Sequence, residues 1–428
     1  MTNYRLQNLS NGVVFEDSGW LLSDPNYSKP SLIRAIYEKR EIDFKDNSLG
    51  IYKYEDWLPI NKRLVGSSAT VTYKSKHLSS NLNLPNLYIS FSGYWPEIGA
   101  NMTTCSFKET EAYSVCARYN QNDGKVMVVA SAGNTARAFA KVCSENNIPL
   151  LIVVPYDNLD ALWSDCVIKD CVKLVATAAG TDYFDAIDLA NRIVANGENY
   201  FEEGGAKNVA RRDGMGTTVL SATNFIGQIP DIYFQAIGSG TGTIAAWEAN
   251  LRLIEDGRFG NKKMKLVPTQ NIPFTPMYDA WKNKSRDIVF LSEEKAREQA
   301  LQIDAKVLSN RKPPYSITGG LYDALCDTNG EIRAVTNDQL KSACDLFLQT
   351  EGIDIHPAAG AALAGMIDFF KDNPQESESI IMLNITGGGE KRLSKDIVLN
   401  KIEPSLVIDC SIDNCDLIKM IDNLFIVK

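Results

Sequence analysis

The sequence predicts an α/β protein of two open, mostly parallel α/β domains, with a ligand in the cleft between them and a small N-terminal appendage. Three observations predict it. From about residue 125, short β-branched runs alternate with helix-length stretches; the alternation repeats four times; and several of the loops that follow the runs are rich in glycine and small hydroxyl residues. "KVMVVA" precedes a helical stretch at 135–145, "PLLIVVP" one at 158–170, "VKLVATA" one at 182–195 and "DIYFQAI" (strand 232–237) one at 243–256. In the last of these, Ile244, Trp247, Leu251 and Ile254 recur at spacings of three and four, which makes one buried stripe, and Gly257 ends it. "SIIMLNI" before "TGGGEKR" predicts a further buried strand, and 395–428 an accessory strand and helix. Residues 1–50, broken by "LSNG" and "SDPNYSKP", predict a separate appendage.

Composition narrows the function. With 428 residues, 44% of them hydrophobic, the chain can fill two or three cores. A net charge of -9 argues against nucleic acid, whose binders carry a basic face. Nine cysteines without a CxxC pair predict free thiols in a reducing cytoplasm. "MTNYRLQNLSNG" has no apolar signal core and the apolar runs are too short to cross a bilayer, so a soluble cytoplasmic protein with no membrane partner is expected. Only His77 and His356 are present, little material for a polyhistidine metal site or a histidine-based triad. The proton carrier is therefore expected to be lysine, a carboxylate or an organic cofactor.

Ligands in open parallel sheets gather at the carboxyl ends of strands, and three loops there stand out. Gly238, Ser239, Gly240, Thr241 and Gly242 open the helix after the strand 232–237, where bare amides and the helix dipole suit an anion, although a plain flexible turn uses the same residues. The spacing is neither GxGxxG nor GxxxxGK[ST], which argues against a dinucleotide or ATP. In "ASAGNTARA", Ser131, Ala132, Gly133, Asn134 and Thr135 can hold a carboxylate, or simply cap a helix. Thr386, in "NITGGG", can meet a ring nitrogen or end a strand. The fourth element is Lys108, whose amine, beside Phe107 at a helix start, can lose basicity by burial and condense with an aldehyde, or can pair in solvent with Glu109 or Glu111. Amine, carboxylate loop, phosphate cradle and ring-nitrogen partner together are the parts that pyridoxal phosphate requires.

In order, "SFK", "SAGNT", "GSGTGT" and "NITGGG" resemble the fold-type II pyridoxal-phosphate enzymes, the tryptophan synthase β-like class that contains threonine synthase and cysteine synthase. The resemblance covers nearly the whole chain. More narrowly, "EDWLP", "LYISFSGYWPEIGANMTTCSFKETEA", "VVASAGNTARAFA" and "VVPYDNLDALW" are similar to the cysteate synthase family. The resemblance implies pyridoxal 5'-phosphate as cofactor, Lys108 as its lysine, Asn134 at its phenolic oxygen, 238–242 at its phosphate and Thr386 at its pyridine nitrogen. Ser131 to Thr135 would hold the substrate carboxylate. The implied activity is replacement of the phosphate of O-phospho-L-serine by sulfite, giving L-cysteate, a precursor of coenzyme M or sulfonolipids, and phosphate. A homodimer is expected.

"NVARRDG" resembles the Asn-x-x-Arg-x-acidic-Gly segment that meets substrate phosphate in threonine synthases, with Asn208, Arg211, Asp213 and Gly214 in place. Arg211 is the expected oxyanion ligand, Arg212 an alternative, and Thr103 and Thr104 weaker candidates. The implied units are 1–50, 51–100 with 206–428 as the large cofactor domain, and 101–205 as a small mobile domain. "NMTTC" and "ET" replace the Asn-Pro-Thr-Gly and acid-arginine patterns of threonine synthases, which weakens an O-phosphohomoserine substrate; a catalytically silent binding protein is opposed by the intact lysine set. His356 stands where the family usually carries glutamate, near the expected cofactor edge, or merely packs; His77 is expected at the surface. "LQNLSNG" looks like a CxxCG ribbon with Asn8 and Asn11 in the cysteine places, so no metal is expected there.

Overall fold

The computed structural model describes residues 2–120, 124–131 and 133–426. Two sheets organise it. The larger has six strands in the order Arg333–Val335, Lys265–Asn271, Ile232–Ala236, Ile381–Ile385, Leu87–Phe91 and Val71–Lys74, parallel except for the last pair. The smaller has five parallel strands, Tyr200–Glu202, Val126–Ala130, Leu150–Val154, Val172–Thr177 and Leu406–Ile408. Every residue of Leu150–Val154, Ile232–Ala236 and Ile381–Ile385 is buried, as strands covered by helices on both faces must be.

Helix packing sets the geometry of the cleft. The helices Lys108–Arg118 and Thr241–Asp256 both lie against Val209–Ile226, and two glycines of the latter permit the close approach. A methyl carbon on Gly214 would stand 2.5 Å from the Thr110 carbonyl oxygen, and one on Gly216 3.2 Å from that of Ala245. Phe107, just before the lysine, packs on Met215 and Ala245. The amine thus starts a helix held one layer from the helix that the glycine turn opens.

Four sequence expectations are corrected. The stretch 158–170 forms no α-helix: Tyr156–Ala161 is a 3-10 turn and Trp163–Ser164 a short strand paired with Asn400–Lys401. Pro155 and the polar Asp157, Asn158 and Asp160 favour turns over helix. The N-terminal strands Tyr4–Asn8, Val14–Phe15 and Ile33–Tyr37 are not a separate unit, because Leu6, Ile33, Ala35 and Tyr37 share one core with Val209, Val219, Ile244 and Trp247. Residues 51–60 are shared between the units: Ile51, Tyr52, Leu58 and Ile60 bury with Tyr113, Phe139 and Val142 of the small one, while Tyr54 and Trp57 stay with Val209 and Ile244 of the large one. The tail joins the small one, since Leu406–Ile408 extends the small sheet, and Leu417 and Ile421 of Asn414–Phe425 bury against Leu189 and Ile193.

In the ribbon-like turn, the buried Asn8 donates to Asp24 (2.9 Å) and accepts from the Ser10 amide, while Asn11 accepts from the Val13 amide. No described helix is long and apolar enough to cross a membrane.

Candidate active site

The segment before the lysine is stitched to the third glycine loop by backbone bonds. Ser106 bridges Gly387, the Phe107 amide donates to the Thr386 carbonyl (3.0 Å), and the Gly388 amide donates to that of Cys105 (3.2 Å). Cys105 sits at φ 53°, the left-handed bend that turns the chain into the lysine helix. Lys108 Nζ then lies 5.0 Å from the centre of the Phe107 ring and 3.2 Å from Glu111 Oε2. Burial lowers the pKa of this amine, aided by Arg211 and opposed by Glu111.

Glu111 is the hub of the site. Its buried carboxylate meets Lys108 Nζ, Arg211 Nη1 at 3.1 Å and the Thr135 hydroxyl at 3.2 Å. Arg211 is held from its other side by Glu203, with Nε 2.8 Å from Oε1. Burial would weaken the Arg211 charge, but the two carboxylates more than offset that and raise its pKa. Burial also raises the pKa of Tyr183, which senses Arg211, Glu203 and Glu111.

The carboxylate loop follows Val126–Ala130 and leads into Asn134–Glu145. Ser131 Oγ accepts from the amides of Gly133 (3.3 Å) and Ala136 (3.2 Å). Asn134 Oδ1 accepts from Arg137 Nη2 at 2.8 Å, which turns its NH2 donor away from that arginine. Ala132 lies outside the described residues.

The glycine turn opens the helix Thr241–Asp256, where the Thr241 amide donates to Ser239 Oγ (3.3 Å) and the Thr243 amide to the Gly240 carbonyl (3.0 Å). Gly240 has φ 80°, and added carbons on Gly238 and Gly242 would come 2.8 Å from the Val307 carbonyl oxygen and 2.5 Å from Gln235 Nε2. Ser239 and Thr241 hydroxyls pair at 2.9 Å. Gly133 faces the same segment, since a carbon there would lie 3.9 Å from Val307 Cγ1. The carboxylate loop and the glycine turn therefore flank one another across Lys306–Leu308.

The remaining expected residues are placed as follows. Thr386 is buried at the end of its strand. Thr104 Oγ1 donates to Glu109 (2.9 Å) and its carbonyl accepts from Arg137 (3.3 Å). Asn208 caps Val209–Ile226, accepting from the Ala210 amide and from Arg118 Nη1, and donating to the Glu203 carbonyl. Arg212, the alternative to Arg211, is fully buried on Glu248 (2.9 Å) and on the carbonyls of Ala206 and Ile33. Asp213 takes Tyr37 and Arg252. His356 Nε2 lies 3.1 Å from Glu390, and its backbone amide donates to Gly387; His77 is exposed.

Glu203, Tyr183, Arg137 and Val307 were not expected in the site. Glu203 and Tyr183 carry no sequence signal, whereas the spacing of three from Asn134 puts Arg137 on the same helix face.

An amine of lowered basicity, a glycine-rich turn at a helix start and an asparagine whose NH2 has no partner among the described residues fit pyridoxal phosphate: covalent anchor, phosphate cradle and donor to the phenolic oxygen. Residues 99–387 match the family described as pyridoxal-phosphate dependent enzyme. In fold, the chain is similar to maize serine racemase (TM-score 0.57, 14% identity, 76% of this chain and 91% of that one). Threonine deaminase isoform 2 from Solanum lycopersicum aligns likewise (0.56, 15%, 77% and 87%). The chain belongs to the pyridoxal-phosphate-dependent enzymes of fold type II, within their cysteate synthase branch. It is 49% identical over 380 residues to the cysteate synthase of Methanocella paludicola, covering 88% of each chain. To that of Methanosarcina acetivorans it is 47% identical over 379 residues (88% and 91%), and to that of Methanocorpusculum labreanum 43% over 405 (94% and 97%).

Proposed function

We propose that the protein replaces the phosphate of O-phospho-L-serine by sulfite, releasing L-cysteate and inorganic phosphate. One observation carries this reading: the amine of Lys108, the guanidinium of Arg211 and the hydroxyl of Thr135 converge on the single carboxylate of Glu111. A base, an oxyanion fork and the carboxylate loop thus meet at one point.

Lys108 would anchor pyridoxal phosphate, with Asn134 at its phenolic oxygen, the amides of Gly238, Ser239, Gly240, Thr241 and Gly242 at its phosphate, and Thr386 at its ring nitrogen. Bound there, the cofactor supplies an electron sink that acidifies the substrate Cα–H. Lys108 takes that proton at Nζ, and its depressed basicity keeps more of the amine neutral and able to accept it. Ser131, Ala132, Gly133, Asn134 and Thr135 hold the substrate carboxylate.

Arg211 receives the phosphate. An entering phosphoryl group replaces Glu111 on Nη1 while Glu203 keeps hold of Nε, so the fork stays oriented. Asn208 fixes the start of the Arg211 helix, and Thr104, held on Glu109, would border the oxyanion pocket. Phosphate leaves as a stable anion, so no strong general acid is required. Sulfite is nucleophilic at neutral pH; the protein has to position it and keep water out. The proposed assembly is a cytoplasmic homodimer.

The test is to mix the holoenzyme with O-phosphoserine or O-phosphohomoserine, with and without sulfite, and to measure phosphate and the amino-acid product. Cysteate is expected only from phosphoserine with sulfite; threonine from phosphohomoserine overturns the reading.

A further inference from the structure

We infer that Arg137 seats the incoming sulfur oxyanion, separately from the phosphate at Arg211. This rests on the reaction proposed above. Over that reaction the Cβ–O bond breaks with its electron pair going to phosphate, the Cβ–S bond forms from the sulfur lone pair of sulfite, and the proton taken from Cα is returned. One oxyanion is exchanged for another at one carbon, and the two guanidinium groups beside the lysine segment and its neighbouring loop are prepared differently for them.

Arg137 is 5% exposed. Nη2 donates to Asn134 Oδ1 (2.8 Å) and to the Thr104 carbonyl (3.3 Å), and Nη1 donates to the Ala161 carbonyl (3.3 Å). All three acceptors are neutral. The Trp163 ring covers one face at 4.2 Å, and Nε has no partner. Among the described residues, no carboxylate lies within 4 Å of this guanidinium, whereas Arg211 has Glu111 and Glu203, Arg212 has Glu248, and Lys141 has Glu145 and Asp165. Glu390 acts on Arg137 from further off and is engaged with His356.

A buried cation without a counterion is costly, and burial correspondingly lowers the Arg137 pKa. A small dianion supplies the missing charge and an acceptor for Nε. The location suits a nucleophile, because the same guanidinium touches Asn134 in the carboxylate loop and Thr104, four residues before Lys108. The contrast with Arg211 divides the labour: there the displaced Glu111 can return and help to expel phosphate, while Arg137, with no described carboxylate within 4 Å, captures a free anion from solution. Trp163, partly exposed and on a two-residue strand, lies over the guanidinium and reports on what binds there.

Inorganic sulfate is the probe for the holoenzyme, because sulfite itself adds to aldehydes. Sulfate is expected to compete with sulfite and to change the tryptophan fluorescence, a response lost in Trp163→Phe. Arg137→Met should weaken sulfate binding at least tenfold, and raise the KM for sulfite at least tenfold more than that for phosphoserine; Arg137→Lys, keeping charge without the fork, should recover part of both. Wild-type enzyme in which sulfate neither competes nor alters fluorescence overturns the inference, whatever the variants do. So does an Arg137→Met enzyme that keeps its sulfate affinity, or in which both KM values rise equally with a shifted cofactor absorbance, which marks a role confined to orienting Asn134. Failure to form cysteate from phosphoserine and sulfite would instead sink the proposed reaction, since sulfate binding is read independently of turnover.

Discussion

At the scale of single residues, the proposed chemistry rests on Lys108 and Glu111, and each can be tested. Lys108→Ala should abolish turnover and remove the visible absorption of the lysine-bound cofactor; an unchanged spectrum refutes the assignment. Glu111 raises the pKa of the amine while burial and Arg211 lower it. Glu111→Gln removes the raising influence, so the amine becomes neutral at lower pH, and the acid limb of the kcat profile should move to lower pH. A limb that moves upward, or stays, contradicts the pairing. The same substitution loosens Arg211, which would retain only Glu203, and the KM for phosphoserine should change along with it.

At the scale of elements, the site depends on how near three helices lie. Gly214→Ala would put a carbon 2.5 Å from the Thr110 carbonyl oxygen and push the lysine helix away, whereas Gly216→Ala meets its neighbours at 3.2 and 3.3 Å. The first should cost about 1–3 kcal/mol in denaturant unfolding and reduce cofactor content, and the second distinctly less. Equal costs would mean that the lysine helix is not held by this contact. Much at this scale was legible in the chain. Fully apolar runs mark strands buried on both faces, and the spacing of Ile244, Trp247, Leu251 and Ile254 marks the helix behind the glycine turn. The stretch 158–170 misled, because Leu159, Leu162 and Trp163 have a helix-like spacing although the polar residues between them close a turn.

At the scale of the molecule, a segment of the large unit crosses to the small one. Arg297 and Arg311 converge on Asp182, the N-cap of Tyr183–Asn196, and Arg311 stacks on Phe184 at 4.1 Å. Val307 lies between them in sequence and borders both ligand loops. Burial alone would raise the Asp182 pKa, but backbone amides and the two arginines outweigh it and lower it. The contribution is therefore present above the usual aspartate range and is lost as pH falls through the depressed value. Asp182→Asn keeps a cap, since asparagine caps as well as aspartate, but removes the charge. It should lower the unfolding free energy by about 0.5–1 kcal/mol and speed proteolysis within 287–312; unaltered cleavage would mean that the arginines do not hold the segment down.

The sequence by itself determined the cofactor class and supplied the residues proposed to hold it, because pyridoxal phosphate needs an amine and strand-end loops whose residue types and order are local properties. Lys108, Ser131 to Thr135, Gly238 to Gly242 and Thr386 were all visible in that way. Only the tertiary structure decided which charges face one another. Glu111 and Glu203 lie far apart in the chain, yet both grip Arg211. Arg212, one position on, is spent on Glu248 beneath the N-terminal sheet, and Arg137 has no carboxylate within 4 Å among the described residues. Charge pairing depends on distance and burial, and neither is encoded at any single position; both arise when the tail and the N-terminal strands fold back onto the two sheets.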